Sequence, residues 1–309
     1  MMPEIREGQV IQNLIIQIFL EKKKPLPEYL IHKILFKFKM AIENRYPTLS
    51  DSLQYYWYKH GPYFEDVASV MNNLRSEGIL SAEPIKHPYK KGFIYSLNAV
   101  KLGFQKSTLS PVELDDLRKV ILSVDELEGG EFNKELYANY GPYKFQSLYK
   151  QTYLELFNEL HFKERPFNKT DISKLKNILI DCEAELIPDP LFEEFNDLFA
   201  SYCTIAYRIF NYYRGKGSNP YYFDKMEYVT NMIWDVFADG LRILAHTPRF
   251  GSRVDEWKAI FKKDLLSLKE SLRTFIFNVD DNFDKEGYPM VSRDRPKEIL
   301  GVVIDSYSS

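Results

Sequence analysis

The sequence predicts a mainly α protein. A winged-helix-like front domain with one small β-hairpin is followed by an antiparallel helical bundle. Apolar residues recur at helical spacing along most of the chain. One pair of short segments, Ile79-Leu80 and Phe93 to Leu97, reads instead as strand, turn and strand. After residue 166, four long periodic stretches follow with short breaks, the pattern of a bundle.

The front elements can be justified in order. Val10, Leu14, Ile15, Ile18 and Phe19 define a first helix, ended by Lys22-Lys23-Lys24-Pro25, with basic residues where the helix dipole favours them. Pro27 opens a second helix whose apolar face is Leu30, Ile31, Ile34, Leu35 and Phe38. Leu53, Tyr56 and Trp57 lead into Gly61-Pro62, read as a turn pair with Pro62 suited to a helix start. Glu65 and Asp66 begin a third helix with Val67, Val70, Met71 and Leu74 inward, stopping at Gly78. The hairpin follows, with Lys86, His87, Lys90 and Lys91 making a basic tip. Ser110-Pro111-Val112-Glu113 is a capping box for the next helix, and Gly129-Gly130 breaks the pattern after it. Leu148 to Leu160 supplies another helix. Arg165-Pro166-Phe167-Asn168 reads as a linker. Helices are expected over 170–182, 190–213, 223–245 and 253–278, and a non-periodic surface tail from Asp280 with a short strand at Val302 to Ile304. The expected organisation is a front domain at 1–107, connecting helices at 108–165 and a bundle domain at 166–309.

Composition excludes several classes. The 309 residues are 45% hydrophobic and hold only 14 Gly and 16 Pro, which suits a packed core and not a disordered or fibrous chain. A net charge of -3 argues against a general nucleic-acid coat. Residues 1–105 carry 14 Lys and Arg against 10 Asp and Glu, so the front is mildly basic and the remainder acidic. Two cysteines, Cys182 and Cys203, allow no disulfide framework, and the opening residues hold no apolar signal core; both fit a cytoplasmic location without a membrane span.

No P-loop, nucleophile elbow or zinc-protease motif occurs, and the five histidines and two cysteines lack metal-ligand spacing. No cofactor, metal or catalytic set is therefore expected. Asp280, Asn282 and Asp284 begin like a calcium loop, but Lys285 and Val291 stand where that loop needs Gly and Glu. One stretch could bind a polyanion: Arg208, Arg214 and Lys216 lie among tyrosines with no acid between 198 and 223, and Arg242, His246 and Arg249 stand at the end of the next helix. The plainer reading of these residues is core tyrosines and arginines capping helix ends.

Tyr56, Trp57, Gly61, Pro62 and Tyr63 form the densest aromatic segment of the front domain. They read either as a helix start that buries a tyrosine or as a contact surface for a protein partner. The strings Ile31-His32-Lys33-Ile34-Leu35-Phe36, Tyr55 to Tyr63 with its Gly-Pro-Tyr end, and Leu74 to Leu80, with Phe93 to Leu97, resemble the Panacea domain over residues 10–100. That resemblance implies an antitoxin-like, phage-associated protein that neutralises a partner, such as a toxin, by direct contact. The alternatives are a winged-helix DNA-binding regulator with residues 64–76 as recognition helix, and a ribonuclease. Glu65 and Asp66 count against the first, because that helix end usually enters the major groove. The second follows from the likeness of Arg242-x-x-x-His246 to the HEPN ribonuclease motif, one residue short in spacing and without a complete catalytic set.

Overall fold

The computed structural model describes residues 7–85, 92–102, 107–125, 131–162, 168–216 and 220–285. It is mainly helical with small antiparallel sheets. The expected basic hairpin tip, the Gly129-Gly130 break, residues 165–167 of the linker and the strand at Val302 to Ile304 lie outside the described residues. By contact the chain divides into two units. Unit 1 holds residues 1–139 and 241–254, and unit 2 holds 140–240 and 255–309. The sequence boundaries at 107/108 and 165/166 contain no hint of this interleaving, in which a short late segment belongs with the front of the chain.

Unit 1 begins with α1 (Glu7–Lys22), whose Ile11, Leu14, Ile15, Ile18 and Phe19 are buried. The helix ends as the lysine run predicts: Lys23 takes a left-handed φ of 52° and its N–H still reaches Phe19 O. A two-residue strand β1 (Leu26–Pro27) precedes α2 (Glu28–Ile42), which buries Ile31, Ile34, Leu35 and Phe38. After the short α3 (Pro47–Asp51), β2 (Tyr56–Tyr58) and β3 (Gly61–Tyr63) pair antiparallel. This corrects the sequence reading of Gly61-Pro62 as a turn pair suited to a helix start: both residues lie in a strand. Pro62 has no N–H to give, but a two-stranded ribbon tolerates it at an edge. Helix α4 (Glu65–Ser76) follows, starting at Glu65 as the sequence predicts.

Helix α4 ends in a Schellman motif. Gly78, at φ 72°, donates to Arg75 O, and Ile79 donates to Leu74 O, with both apolar partners buried. The chain continues directly into β4 (Leu80–Pro84) and β5 (Phe93–Leu97), which pair in register Leu80 to Leu97 through Pro84 to Phe93. Strand β1 adds to the far side of β5, giving the order β1-β5-β4. Then come α5 (Ala99–Leu102), α6 (Pro111–Asp125) and α7 (Glu131–Tyr140). The predicted capping box of α6 is present, with Ser110 N–H on the Glu113 carboxylate and Glu113 N–H on Ser110 Oγ.

Among the described residues unit 2 is helical throughout. The elements are α8 (Lys144–Gln146), a π-helical run over Ser147–Leu154, α9 (Glu155–Phe162), α10 (Lys169–Ala184), a 3-10 turn (Pro190–Phe192), α11 (Glu193–Lys216), α12 (Pro220–Leu244) and α13 (Val254–Lys285). Asn168 is the N-cap of α10 and forms a full capping box with Asp171. The expected tail at Asp280 is corrected: α13 continues to Lys285, and Val279 and Phe283 extend its buried stripe by another turn. Asp280, Asn282 and Asp284 are thus helical and form no loop. The core is aromatic, with Phe145, Phe192, Phe195, Phe199 and Phe237 linked by a chain of ring contacts. Gly240 lets two of its rings approach, since a Cβ there would lie 2.5 Å from Phe192 and 2.8 Å from Phe261.

Candidate functional site

The aromatic hairpin of unit 1 is built on strand alternation. Successive side chains of a strand point to opposite faces. The register pairs Tyr56 with Tyr63, Trp57 with Pro62 and Tyr58 with Gly61. Trp57 and Pro62 therefore share one face, and Tyr56, Tyr58 and Tyr63 the other. Trp57 meets the rings of Phe36 and Tyr137 edge-on, each at 5.6 Å. Gly61 takes a φ of 104°, a conformation glycine adopts without strain, directly after the two-residue turn Lys59-His60.

The opposite face is only partly covered. Tyr56 is buried against Phe250 at 5.0 Å, and burial pushes its phenol up to about 12, so it stays protonated. Tyr58 and Tyr63 are half-buried. Tyr63 stacks on the buried His32 ring at 4.7 Å. The contact surface expected from Tyr56, Trp57, Gly61, Pro62 and Tyr63 is accordingly narrowed. Tyr56, Trp57, Gly61 and Pro62 are spent on packing, Tyr63 is partly open, and Tyr58, absent from the expectation, joins it.

Residues 241–254 complete this site. Ala245 to Thr247 run antiparallel along the outer edge of β2: Trp57 N–H donates to Ala245 O at 2.8 Å, Thr247 N–H donates to Tyr55 O at 2.9 Å, and Tyr56 bridges His246. Thr247 Oγ1 both accepts from Tyr55 N–H and donates to Tyr55 O. The Arg242 guanidinium lies over the Tyr58 ring at 5.1 Å. In the 3-10 turn Pro248–Arg253, Arg249 forks onto Asp66 (2.6 and 3.4 Å) and Arg253 pairs with Glu65.

The proposed polyanion set is thus divided. Arg242, His246 and Arg249 join the hairpin in unit 1, and the guanidinium groups of Arg242 and Arg249 are engaged there. Arg208 belongs to unit 2, where it pairs with Asp280. The side chains of Arg214 and Lys216 lie outside the described residues. Arg242, in the last turn of α12, and His246, just beyond it, both fall in unit 1 by contact. Cys182 and Cys203 are buried, and burial pushes both thiols up, so neither is a poised nucleophile. Among the described residues no cluster of His, Cys, Asp and Glu could hold a metal, and no helix is long and apolar enough to cross a membrane.

His32 ties α2 to the hairpin. Its Nδ1 accepts the Phe64 N–H at 3.1 Å, which requires an unprotonated Nδ1. Burial holds the imidazole below its ordinary 6.5, against the pull of Glu28, whose carboxylate lies 3.7 Å from Nε2. The folded state therefore binds fewer protons here than the unfolded state. The resulting stability is present above about pH 6.5 and is lost as pH falls through the lowered folded value. A melting series across mildly acid pH should show this loss. His32→Asn, which keeps an acceptor and cannot titrate, should flatten it; an unchanged slope in that variant would assign the loss elsewhere.

No family model matches the chain, and no curated protein and no solved structure matches it.

Proposed function

We propose that unit 1 is a non-enzymatic, antitoxin-like interaction module that neutralises or regulates a partner protein by direct contact through the Tyr58 and Tyr63 face of the hairpin. The observation that carries this reading is the half-buried pair itself. Both tyrosines stand on a ribbon fixed from behind by Trp57 and at its edge by Ala245 to Thr247. Aromatic area presented on a rigid support loses little entropy on binding, and tyrosine is enriched at interface hot spots. The resemblance of residues 10–100 to the Panacea domain supports the same reading. A winged-helix assignment of unit 1 is supported by the order α1, β1, α2, α4, β4, β5 and by the sheet order β1-β5-β4, with the hairpin as an insertion before α4.

Capture from the source cell's lysate tests the contact. Tyr58→Ala and Tyr63→Ala should each lower recovery of the captured partner, with about 2 kcal/mol or more lost at a hot spot, while leaving the melting temperature nearly unchanged. If both variants melt far lower and the folded fraction captures as well as wild type, the tyrosines are packing residues and the reading fails.

A further inference from the structure

We propose that the outer face of α4 docks in the major groove of double-stranded DNA and reads base edges there. The buried side of this helix is Val67, Val70, Met71 and Leu74. Its exposed side is Ser69, Asn72, Asn73 and Ser76, spaced 3, 4 and 7 residues from the first, which places all four on one stripe. No charged residue occurs from Val67 to Leu74. An asparagine amide offers one donor and one acceptor in the spacing that adenine presents in the major groove, and serine accepts or donates to any base. Ser69 and Ser76 donate their hydroxyl protons back to Asp66 O and Asn73 O, so their lone pairs face outward as acceptors.

Charge is arranged around this stripe. Asp66 and Glu65, which would repel phosphate at the leading end of the helix, are neutralised by Arg249 and Arg253. Both arginines remain partly exposed at that end. At the other end, the exposed Arg75 lies over Phe93 of β5 at 5.9 Å, with the exposed Glu77 directly after Ser76. A helix about 10–12 Å across fits a groove of about 12 Å. A-form RNA closes that groove to side chains. A protein partner would call for aromatic or apolar anchors, which the stripe lacks. The inference rests on the winged-helix reading for the approach of α4 and is independent of the hairpin contact.

Full-length protein should be used to select from a duplex library with a randomised core, and the enriched duplex titrated by fluorescence anisotropy over a salt series. Selection should converge on a motif containing adenine. Asn72→Ala and Asn73→Ala should each weaken binding about tenfold or more and relax preference at one base pair, with melting unchanged. The salt dependence should be shallow, with a log–log slope of about -3 for three phosphate contacts. Arg249→Ala should weaken binding, and adding Asp66→Ala should restore it. Tyr63→Ala should bind the duplex as wild type does, which separates this surface from the hairpin. A library that does not converge, or a selected duplex that the Asn72→Ala/Asn73→Ala double variant binds equally well, overturns the inference.

Discussion

A fragment ending at Asn139 is expected to lose the cooperative unfolding of unit 1. It lacks the segment that covers the outer edge of β2, so Trp57 N–H loses Ala245 O and Tyr55 loses Thr247. A buried backbone group left without its partner costs about 1–3 kcal/mol. Tyr56 also loses Phe250. Several such losses are comparable with the whole stability of a domain this size, about 5–15 kcal/mol. Near-UV circular dichroism of the fragment should show weakened aromatic packing and a broad melt. In the intact chain, hydrogen exchange at Tyr55 and Trp57 should be slow, and Thr247→Ala should accelerate it at Tyr55. A fragment that melts as sharply as the intact protein would show that residues 241–254 only decorate unit 1.

Trp57→Ala is expected to cost about 3–5 kcal/mol, the range for a buried aromatic cut to a methyl. Trp57 is 3% exposed and touches the rings of Phe36 and Tyr137 on α2 and α7, so its removal opens a cavity where three elements meet. Trp57→Phe should recover part of the loss. Tyr63→Ala should cost clearly less, because its ring is only partly buried. Urea unfolding would show the difference as a lower midpoint at constant slope. Equal costs for the two residues would mean that the alternation of the ribbon does not separate a packed face from an open one.

What the sequence revealed of this fold was its local chemistry. The lysine run closing α1, the Gly78 stop of α4 and the Ser110 capping box are each dictated by residues within a few positions of one another, and the β4–β5 pair by two segments close in sequence. The start of α4 at Glu65 is legible, but the strands on either side of Lys59-His60 are not, because Gly61-Pro62 is equally a turn signal or a helix approach and only the cross-strand pairing decides between them. The tyrosines were legible as a feature, but which of them is buried depends on register. The assembly of the site was not legible. Thr247 meets Tyr55 across 192 positions and Arg249 meets Asp66 across 183, and no periodicity spans such distances. The acids at the start of α4 therefore read as a bar to DNA, where the fold provides each with an arginine.

The return of residues 241–254 to unit 1 also sets a clock on synthesis. About a hundred residues of unit 2 separate the front stretch from the segment that finishes it. At about 5–20 residues per second, the ribosome needs roughly 5–20 s to produce them. For that interval the nascent hairpin has an uncovered β2 edge, the kind of surface that pairs with other chains. The usual vectorial order, front domain first, is closed to this protein. Its first unit becomes complete only after most of its second has emerged, and a holdase that shields extended edges would have its natural client in that window.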